Sequence, residues 1–241
     1  MKRNIQRTIL STTNRATAHL SLILWILSAL CLAASFGRAQ TVLWSENFND
    51  GNGYNRWYTD FGVWQIGSPT IGPETNSAGY RTHSGPYCAT TGLTADYPSG
   101  MNSRLVRIQT FTVPAASQYP RLRFWHWYDF GSGYYGNDYG VVEVIINGTT
   151  WQAVSAQYTG FSGDWTYASV DLRAFAGQTV QLAFHAVDGN AVAPGWYVDD
   201  LSVVTGTPVF NDPEGFELGI GDWYAEQGAW QVGQPDRKSV V

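Results

Sequence analysis

The sequence predicts an all-β protein, a β-sandwich or jelly roll, and three observations support this fold class. The segment RLRFWHWYDF (121–130) alternates between two sets of side chains, as a strand with two different faces does. Asn147-Gly148 lies between two β-rich runs, and both residues tolerate the positive φ of a two-residue hairpin turn. Gly, Pro and Asn turns separate the strand-like segments, and no segment has a convincing helical period.

The predicted strands follow one another without intervening helices. LVRIQTFTV is followed by Pro114, which has no backbone N–H to donate to a sheet ladder and therefore ends this strand. VVEVIINGTTWQAV is a hairpin, and the turn-rich segment DGNAVAPG separates the last two strands. The predicted strand segments are 105–113, 121–130, the two arms of 141–154, 179–187 and 196–204.

The first 39 residues have the layout of a secretory signal peptide. Four basic residues precede the apolar run LSLILWILSALCLAA, and a small-residue segment ending at Ala39 follows it. We expect cleavage after Ala39, which makes the protein secreted or attached to the cell surface. The alternative is an uncleaved membrane anchor, although the run is short for crossing a bilayer.

The composition limits the partners and the sources of stability. All 19 acidic residues follow residue 39, whereas five of the 14 basic ones precede residue 40, so the exported chain is strongly acidic. Nucleic acid and, after signal cleavage, membrane surfaces are therefore not expected as partners. Cleavage also removes Cys31 and leaves Cys88 alone, which excludes an intramolecular disulfide. Stability must come from an apolar core, with or without a metal.

A repeat indicates a modular organisation. GVWQIGSP (62–69) returns as GAWQVGQP (228–235), and seven of the thirteen residues that start at Trp57 recur from Trp223. ENFNDG, upstream of the first copy, matches EGFELG upstream of the second. The chain therefore contains one unit and the start of a similar one.

The repeat and the chain ends define the predicted segments. The signal peptide, 1–39, precedes one complete unit over 40–206, and a second, truncated copy begins over 207–235. That remnant has too few strands to bury its own core. The last six residues, 236–241, contain the only lysine after the signal, and one reverse translation of them reproduces a common sequencing-library adaptor. We expect this tail to be non-native and the natural protein to continue.

Eight motifs in the same order resemble the MAM-like jelly-roll modules of bacterial exported proteins, such as those attached to immune inhibitor A peptidases and to choice-of-anchor J surface proteins. They include WSENFNDG, WQIGSPTIGP, THSGPYCATTGLTADY, LRFWHWYD and GWYVDDLSV, and the resemblance covers almost all of residues 43–204. It implies a two-sheet antiparallel jelly-roll β-sandwich. It also implies a non-catalytic module of a longer secreted or surface-attached chain.

The resemblance implies adhesion or interaction at the cell surface, with an extracellular glycan or protein as the ligand and glycan binding as the most concrete form. A second alternative is an accessory module of a secreted hydrolase, whose peptidase or glycosidase domain lies outside this sequence. A structural spacer repeat is the third. Further repeats downstream would favour the adhesin, and a hydrolase domain would favour the accessory module.

No catalytic site is predicted. The chain contains neither an HExxH pair nor a GxSxG elbow. We interpret His126 and His185 as hydrogen-bonded core residues on apolar strand faces, and Cys88 as a buried, inert thiol. Asp199 and Asp200 are adjacent in a strand and are expected to point to opposite faces, so they cannot flank one glycosidic bond.

A structural calcium ion is implied by the resemblance alone. In related jelly rolls Ca²⁺ joins an acidic residue of the first strand to one of the last, which here would be Glu46, with Asn49, and Asp200. Asn49 stands where the family commonly has a second Glu, and where Glu217 stands in the second copy. The site would therefore carry less charge. The alternative is a metal-free hydrogen-bond network between the two strands.

The loop FGSGYYGNDYG (130–140) is the predicted ligand site. Exposed rings of Tyr134, Tyr135 and Tyr139 would stack on sugar faces, while Asn137 and Asp138 would accept hydrogen bonds from hydroxyl groups. The alternative is that the aromatic residues close the end of the sandwich and Asp138 caps the next strand.

Overall fold

The computed structural model describes residues 40–131, 138–189, 192–217, 219–226, 230 and 232, and within these ranges the fold is all-β with three short 3-10 turns. The strands there are β1 Thr41–Glu46, β2 Trp57–Asp60, β3 Gln65–Gly67, β4 Cys88–Thr90, β5 Asn102–Arg107, β6 Phe111–Thr112, β7 Arg121–Asp129, β8 Tyr139–Ile146, β9 Thr150–Ala153, β10 Thr166–Asp171, β11 Thr179–Val187 and β12 Gly195–Thr205. No helix in these ranges is long and apolar enough to cross a membrane. The predicted signal peptide and the tail 236–241 lie outside the described residues.

The described strands form two antiparallel sheets of six strands each. The first sheet has the order β10-β7-β12-β4-β3, and β1 pairs with the C-terminal part of β12. The second sheet has the order β2-β5-β11-β8-β9, and β6 pairs with the start of β11. Neighbouring strands within a sheet are mostly distant in sequence, as in a jelly roll. The predicted two-sheet jelly-roll β-sandwich is confirmed.

The sheets enclose an aromatic core centred on Trp196 of β12. Its ring centroid lies 5.5 Å from that of Phe184 on β11 and 5.7 Å from that of Trp64. Phe124 of β7 meets Phe184 edge-on at 5.1 Å. Gly140 of β8 makes room for the indole, because a Cβ there would lie 2.4 Å from Cε3 of Trp196. Burial of these rings is the main source of stability for the sandwich.

Each predicted strand segment corresponds to an observed strand or pair of strands, and the strands β1, β2, β3, β4 and β10 lie outside the predicted segments. The hairpin turn between β8 and β9 has φ of 53° at Asn147 and 69° at Gly148, as predicted. The predicted strand 105–113 is instead divided into β5 and β6. These two strands pair with different parts of β11, so the chain has to leave the ladder between them.

The closing strand β12 contains a β-bulge that the sequence analysis does not predict. Its pairing with β7 shifts between Asp199 and Ser202, and Asp200 has a φ of 49°. The core-facing residues on the two sides of the bulge are Trp196, Val198, Leu201 and Val203. The expectation that Asp199 and Asp200 point to opposite faces is wrong, because both carboxylates bind Ser84. Asp199 accepts its backbone N–H at 3.0 Å, and Asp200 accepts its hydroxyl at 2.7 Å.

A long connection between β3 and β4 covers part of the outward face of the first sheet. The hydroxyl of Tyr197 lies 3.2 Å from the carbonyl oxygen of Ile71, in this connection, and 2.5 Å from that of Gly92, after β4. Beneath the connection lies a second cluster of buried side chains, formed by Cys88, Trp127, Trp165 and Tyr197. Burial raises the pKa of the Cys88 thiol well above its usual value, which agrees with the interpretation of an inert cysteine.

His126 of β7 is confirmed as a core residue. Its ring packs against Tyr158, with centroids 4.5 Å apart, and Nδ1 accepts a hydrogen bond from Nε1 of Trp196 at 3.3 Å. Complete burial disfavours the charged imidazolium and lowers the pKa of His126 from 6.5 to about 3.

The neutral state of His126 predicts how stability depends on pH. The unfolded chain binds a proton at this residue below pH 6.5, whereas the folded chain does not until about pH 3, so acid favours unfolding across that window. The contribution is at most about 1.4 kcal/mol per pH unit. We expect His126→Gln to lose this contribution, because the amide cannot be protonated and its oxygen can still accept from Trp196.

Urea unfolding at pH 7 and pH 4.5 measures this effect. The free energy of unfolding should decrease less between the two pH values in the variant than in the wild type. Equal decreases would show that His126 does not contribute.

Candidate functional site

The outward face of the second sheet carries a row of polar side chains from four neighbouring strands. Strand pairing places Asp60 of β2 opposite Arg104 of β5, and Arg104 opposite His185 of β11. Glu143 of β8 pairs with Ala183, which lies two residues before His185 and therefore on the same face. With Asn102, two residues before Arg104, these side chains are called the polar row: Asp60, Asn102, Arg104, Glu143 and His185.

Hydrogen bonds connect the members of the polar row. Nε of Arg104 donates to Glu143 at 2.7 Å, and Nδ1 of His185 lies 3.0 Å from the second oxygen of that carboxylate. Nε2 of His185 lies 2.7 Å from Oδ1 of Asn102, and Asp60 accepts the backbone N–H of Arg104 at 2.8 Å. These bonds fix the orientation of each side chain before any ligand arrives.

The carboxylate of Glu143 is the electrostatic centre of the polar row. Its side chain is 11% exposed, and burial alone would raise its pKa. The hydrogen bonds from His185 and Arg104 outweigh burial, so that the pKa of Glu143 lies below its usual value. The group is therefore ionised at neutral pH, and the pairing explains how the sheet tolerates a nearly buried charge.

Aromatic side chains accompany the polar row. The guanidinium carbon of Arg104 lies 4.9 Å from the ring centroid of Trp151 on β9. Tyr58 of β2 is 44% exposed, and it pairs with Val106, two residues from Arg104. Tyr139 of β8 shares the face of Glu143 because it lies four residues before it. The face thus combines charged groups, amide groups and aromatic surface on rigid strands.

The predicted ligand loop leads into this face at Tyr139. Three of its predicted contact residues lie outside the described residues: Tyr134, Tyr135 and Asn137. Asp138 is buried, and it accepts hydrogen bonds from the hydroxyl of Tyr97 at 2.9 Å and from the N–H of Gly189 at 2.6 Å. Asp138 therefore ties together three connections at this end of the sandwich, and sugar contact by the loop stays a prediction.

The residues predicted to bind calcium each have other partners in the structure. These residues are Glu46, Asn49 and Asp200. Glu46 accepts from Nε of Arg56 at 2.5 Å and from Nε1 of Trp57 at 3.1 Å. Asn49 accepts the N–H of Tyr87 at 3.0 Å, and Asp200 lies 2.6 Å from Nδ1 of His83.

Within the described part of the chain, no group of three or more His, Cys, Asp or Glu side chains is placed to hold a metal ion. An ion at Glu46 would have to replace the guanidinium of Arg56. The calcium site stays a prediction.

The polar row was not predicted from the sequence. The interpretation of His185 as a residue on the apolar face of its strand is wrong, because Leu182 and Phe184 face the core while His185 faces outward with Glu143. One signal was present in the sequence, namely a single charged residue within the apolar run VVEVII. Which strands lie next to β8 could not be read from that signal.

No protein-family model matches the chain. It is 30% identical over 139 residues to Bacillopeptidase F of Bacillus subtilis, a match that covers 57% of this chain and 9% of that protein. It is 39% identical over 103 residues to Pre-pro-metalloprotease PrtV of Vibrio cholerae, covering 37% of this chain and 11% of that protein. The chain thus matches about a tenth of the length of these curated relatives.

Two solved structures are similar in overall fold. The CBM22-1 xylan-binding domain from Paenibacillus barcinonensis Xyn10C has a TM-score of 0.44 and 13% identity, covering 71% of this chain and 99% of that domain. The K3 cleaved adhesin domain of Lys-gingipain from Porphyromonas gingivalis has a TM-score of 0.37 and 16% identity, covering 68% and 99%. These values support no functional assignment.

The ion pair in the polar row predicts a measurable change in the pKa of Glu143. Arg104→Ala removes an opposite charge and a hydrogen bond, so the pKa of Glu143 should rise by about one unit or more. A carbon-13 NMR titration of the side-chain carboxyl measures it.

Arg107→Ala is the matched control, because Arg107 lies on the same strand but packs on Trp44, with 4.4 Å between the guanidinium carbon and the ring centroid. It should leave the titration of Glu143 unchanged. An unchanged pKa of Glu143 in Arg104→Ala would contradict the assigned ion pair.

Proposed function

We propose that this chain is a non-catalytic binding module of a larger exported protein, and that its ligand is a glycan bound on the outward face of the second sheet. The observation that carries the proposal is the polar row, in which Arg104, Glu143 and His185 form a connected network next to Trp151. Sugars present hydroxyl groups that both donate and accept hydrogen bonds, together with apolar ring faces. Charged groups beside aromatic rings on one surface suit both features.

The rigidity of the face supports a binding role. The polar row lies within paired strands, not on connecting loops, and its side chains are held by bonds to one another. A ligand therefore meets donors and acceptors that are already oriented, which reduces the entropy cost of binding. Tyr58 and Tyr139 would extend the contact surface at its edges.

The relatives favour an accessory role over a free-standing adhesin. Both matched proteins are named as peptidases, and the matched stretch is 9% of one and 11% of the other. We infer that the module accompanies a hydrolase domain encoded elsewhere in the same gene, as the resemblance to MAM-like modules of immune inhibitor A peptidases also implies. Sequencing the complete gene tests this, since a peptidase domain is expected and an array of repeats with a sorting signal would contradict it.

Export underlies the proposal. The signal-like segment 1–39 and the strongly acidic composition after it fit a protein that acts outside the cell. N-terminal sequencing of the protein recovered from culture medium should begin after Ala39.

Glycan binding can be tested with two variants of the face and one control. We expect the chain to bind members of a glycan array. Arg104→Ala, which removes a charged hydrogen-bonding group, and Trp151→Ala, which removes aromatic contact area, should each raise the Kd for the best member by about tenfold or more. Isothermal titration calorimetry measures the Kd.

The control is Phe161→Ala, which removes an aromatic ring that is 60% exposed and packs on Trp127 of the first sheet. It should bind like the wild type. A folded protein without affinity for any glycan on the array would favour the spacer alternative.

A further inference from the structure

The segment that follows the sandwich lies on the outward face of the first sheet, next to two arginines of β7. Arg121 and Arg123 are two positions apart and share that face. One oxygen of Asp222 accepts from Nη2 of Arg121 at 2.8 Å and from Nη1 of Arg123 at 3.0 Å. Arg123 also donates to the carbonyl of Gly221. The side chains of the two arginines are only 9% and 7% exposed, so these ion pairs are largely shielded from water.

A backbone contact accompanies the ion pairs. The N–H of Ala225 donates to the carbonyl of Tyr167 at 3.0 Å, and Ala225 is 5% exposed. Tyr167 belongs to β10, the edge strand of the first sheet. The guanidinium of Arg123 lies 4.6 Å from the ring centroid of Tyr167, so the arginine connects the two contacts.

The segment repeats the local structure with which the sandwich begins. Glu46 accepts the N–H of Phe48 at 2.8 Å and Nε1 of Trp57 at 3.1 Å. The corresponding residues of the segment are Glu214, Phe216 and Trp223. There the same two bonds measure 2.9 and 3.0 Å.

Further details of the two copies agree. Both phenylalanines have a positive φ, 59° in the first copy and 55° in the second. The centroids of the phenylalanine and tryptophan rings lie 6.0 and 5.9 Å apart. The segment therefore has the local structure of the start of a module.

One position differs in charge between the two copies, and it is the position that makes the contact. Arg56 precedes Trp57 and pairs with Glu46 and Asp50 of its own module, at 2.5 and 2.9 Å. The residue that precedes the second tryptophan is Asp222. The inverted charge turns a pair within one module into a pair with the preceding module.

The first module alone does not account for the buried arginines. Apart from Asp222, Arg121 has only the carbonyls of Tyr119 and Gly206 as hydrogen-bond acceptors in the described structure. Nε of Arg123 has no partner there. The segment itself covers part of the two arginines, and a guanidinium covered by protein without a counter-ion is costly, so a segment that lies here has to supply an acidic residue.

We propose that Arg121 and Arg123 form a docking site for the module that follows, that its occupant is the opening segment described over 207–217 and 219–226, and that Asp222 holds this segment in place. The site fixes the position of one module relative to the next at a charged contact. It lies on the first sheet, and it is independent of the glycan site proposed for the second.

Amide exchange in the full chain after the signal tests the proposal. The probe is the N–H of Ala225, which neither substituted side chain contacts. Asp222→Asn removes the negative charge and Arg121→Met removes one of its two cationic partners, each with little change in volume, and each should accelerate exchange of this amide by about tenfold or more. The double variant should exchange no faster than the faster single variant, because both substitutions break the same interaction.

Glu217→Gln is the matched control, since Glu217 is an exposed acidic residue of the same segment. It should leave exchange at Ala225 unchanged, and the amide of Leu182 in β11 should stay protected in every variant. Exchange in Asp222→Asn that is no faster than in Glu217→Gln would overturn the proposal. So would two single effects that multiply in the double variant, since Asp222 and Arg121 would then act separately.

Discussion

The position of Trp196 between the two sheets is the constraint on which the rest of the structure depends. A tryptophan side chain buries up to about 250 Å², which at roughly 25 cal/mol per Å² corresponds to about 6 kcal/mol. That is comparable to the whole net stability of a small domain. The described chain has a single free cysteine, Cys88, so no disulfide shares this role. Gly140 leaves room for this indole, and the buried His126 accepts its N–H.

The sandwich has two outward faces, one on each sheet, and the two faces carry different side chains. The face of the second sheet retains a connected set of charged side chains that the fold does not need for its core. The face of the first sheet is covered, by the connection that contacts Tyr197 and by the segment that contains Asp222. A face with a connected polar network and a face covered by later segments agree with a module that binds a ligand on one side and its neighbour on the other.

The fold class was predictable from the sequence because alternation and turn chemistry are local signals. The strand 121–129 and the turn at Asn147-Gly148 were both visible in short windows. The bulge at Asp200 is also visible in the sequence, because the alternation of apolar residues changes phase between Val198 and Leu201. The prediction instead assumed a regular strand through this point.

The polar row and the docking contact could not be predicted in the same way. Glu143 and His185 are 42 residues apart, and Arg121 and Asp222 are 101 residues apart. Their meeting depends on strand order and on where a later segment folds back, which no local pattern specifies.

The contact between Ala225 and Tyr167 has a practical consequence for the choice of recombinant fragment. β10 is an edge strand, and unpaired edge strands recruit other chains. A recombinant fragment that ends before residue 207 would expose this edge together with two arginines that lack their acidic partner. We expect such a fragment to self-associate at low ionic strength.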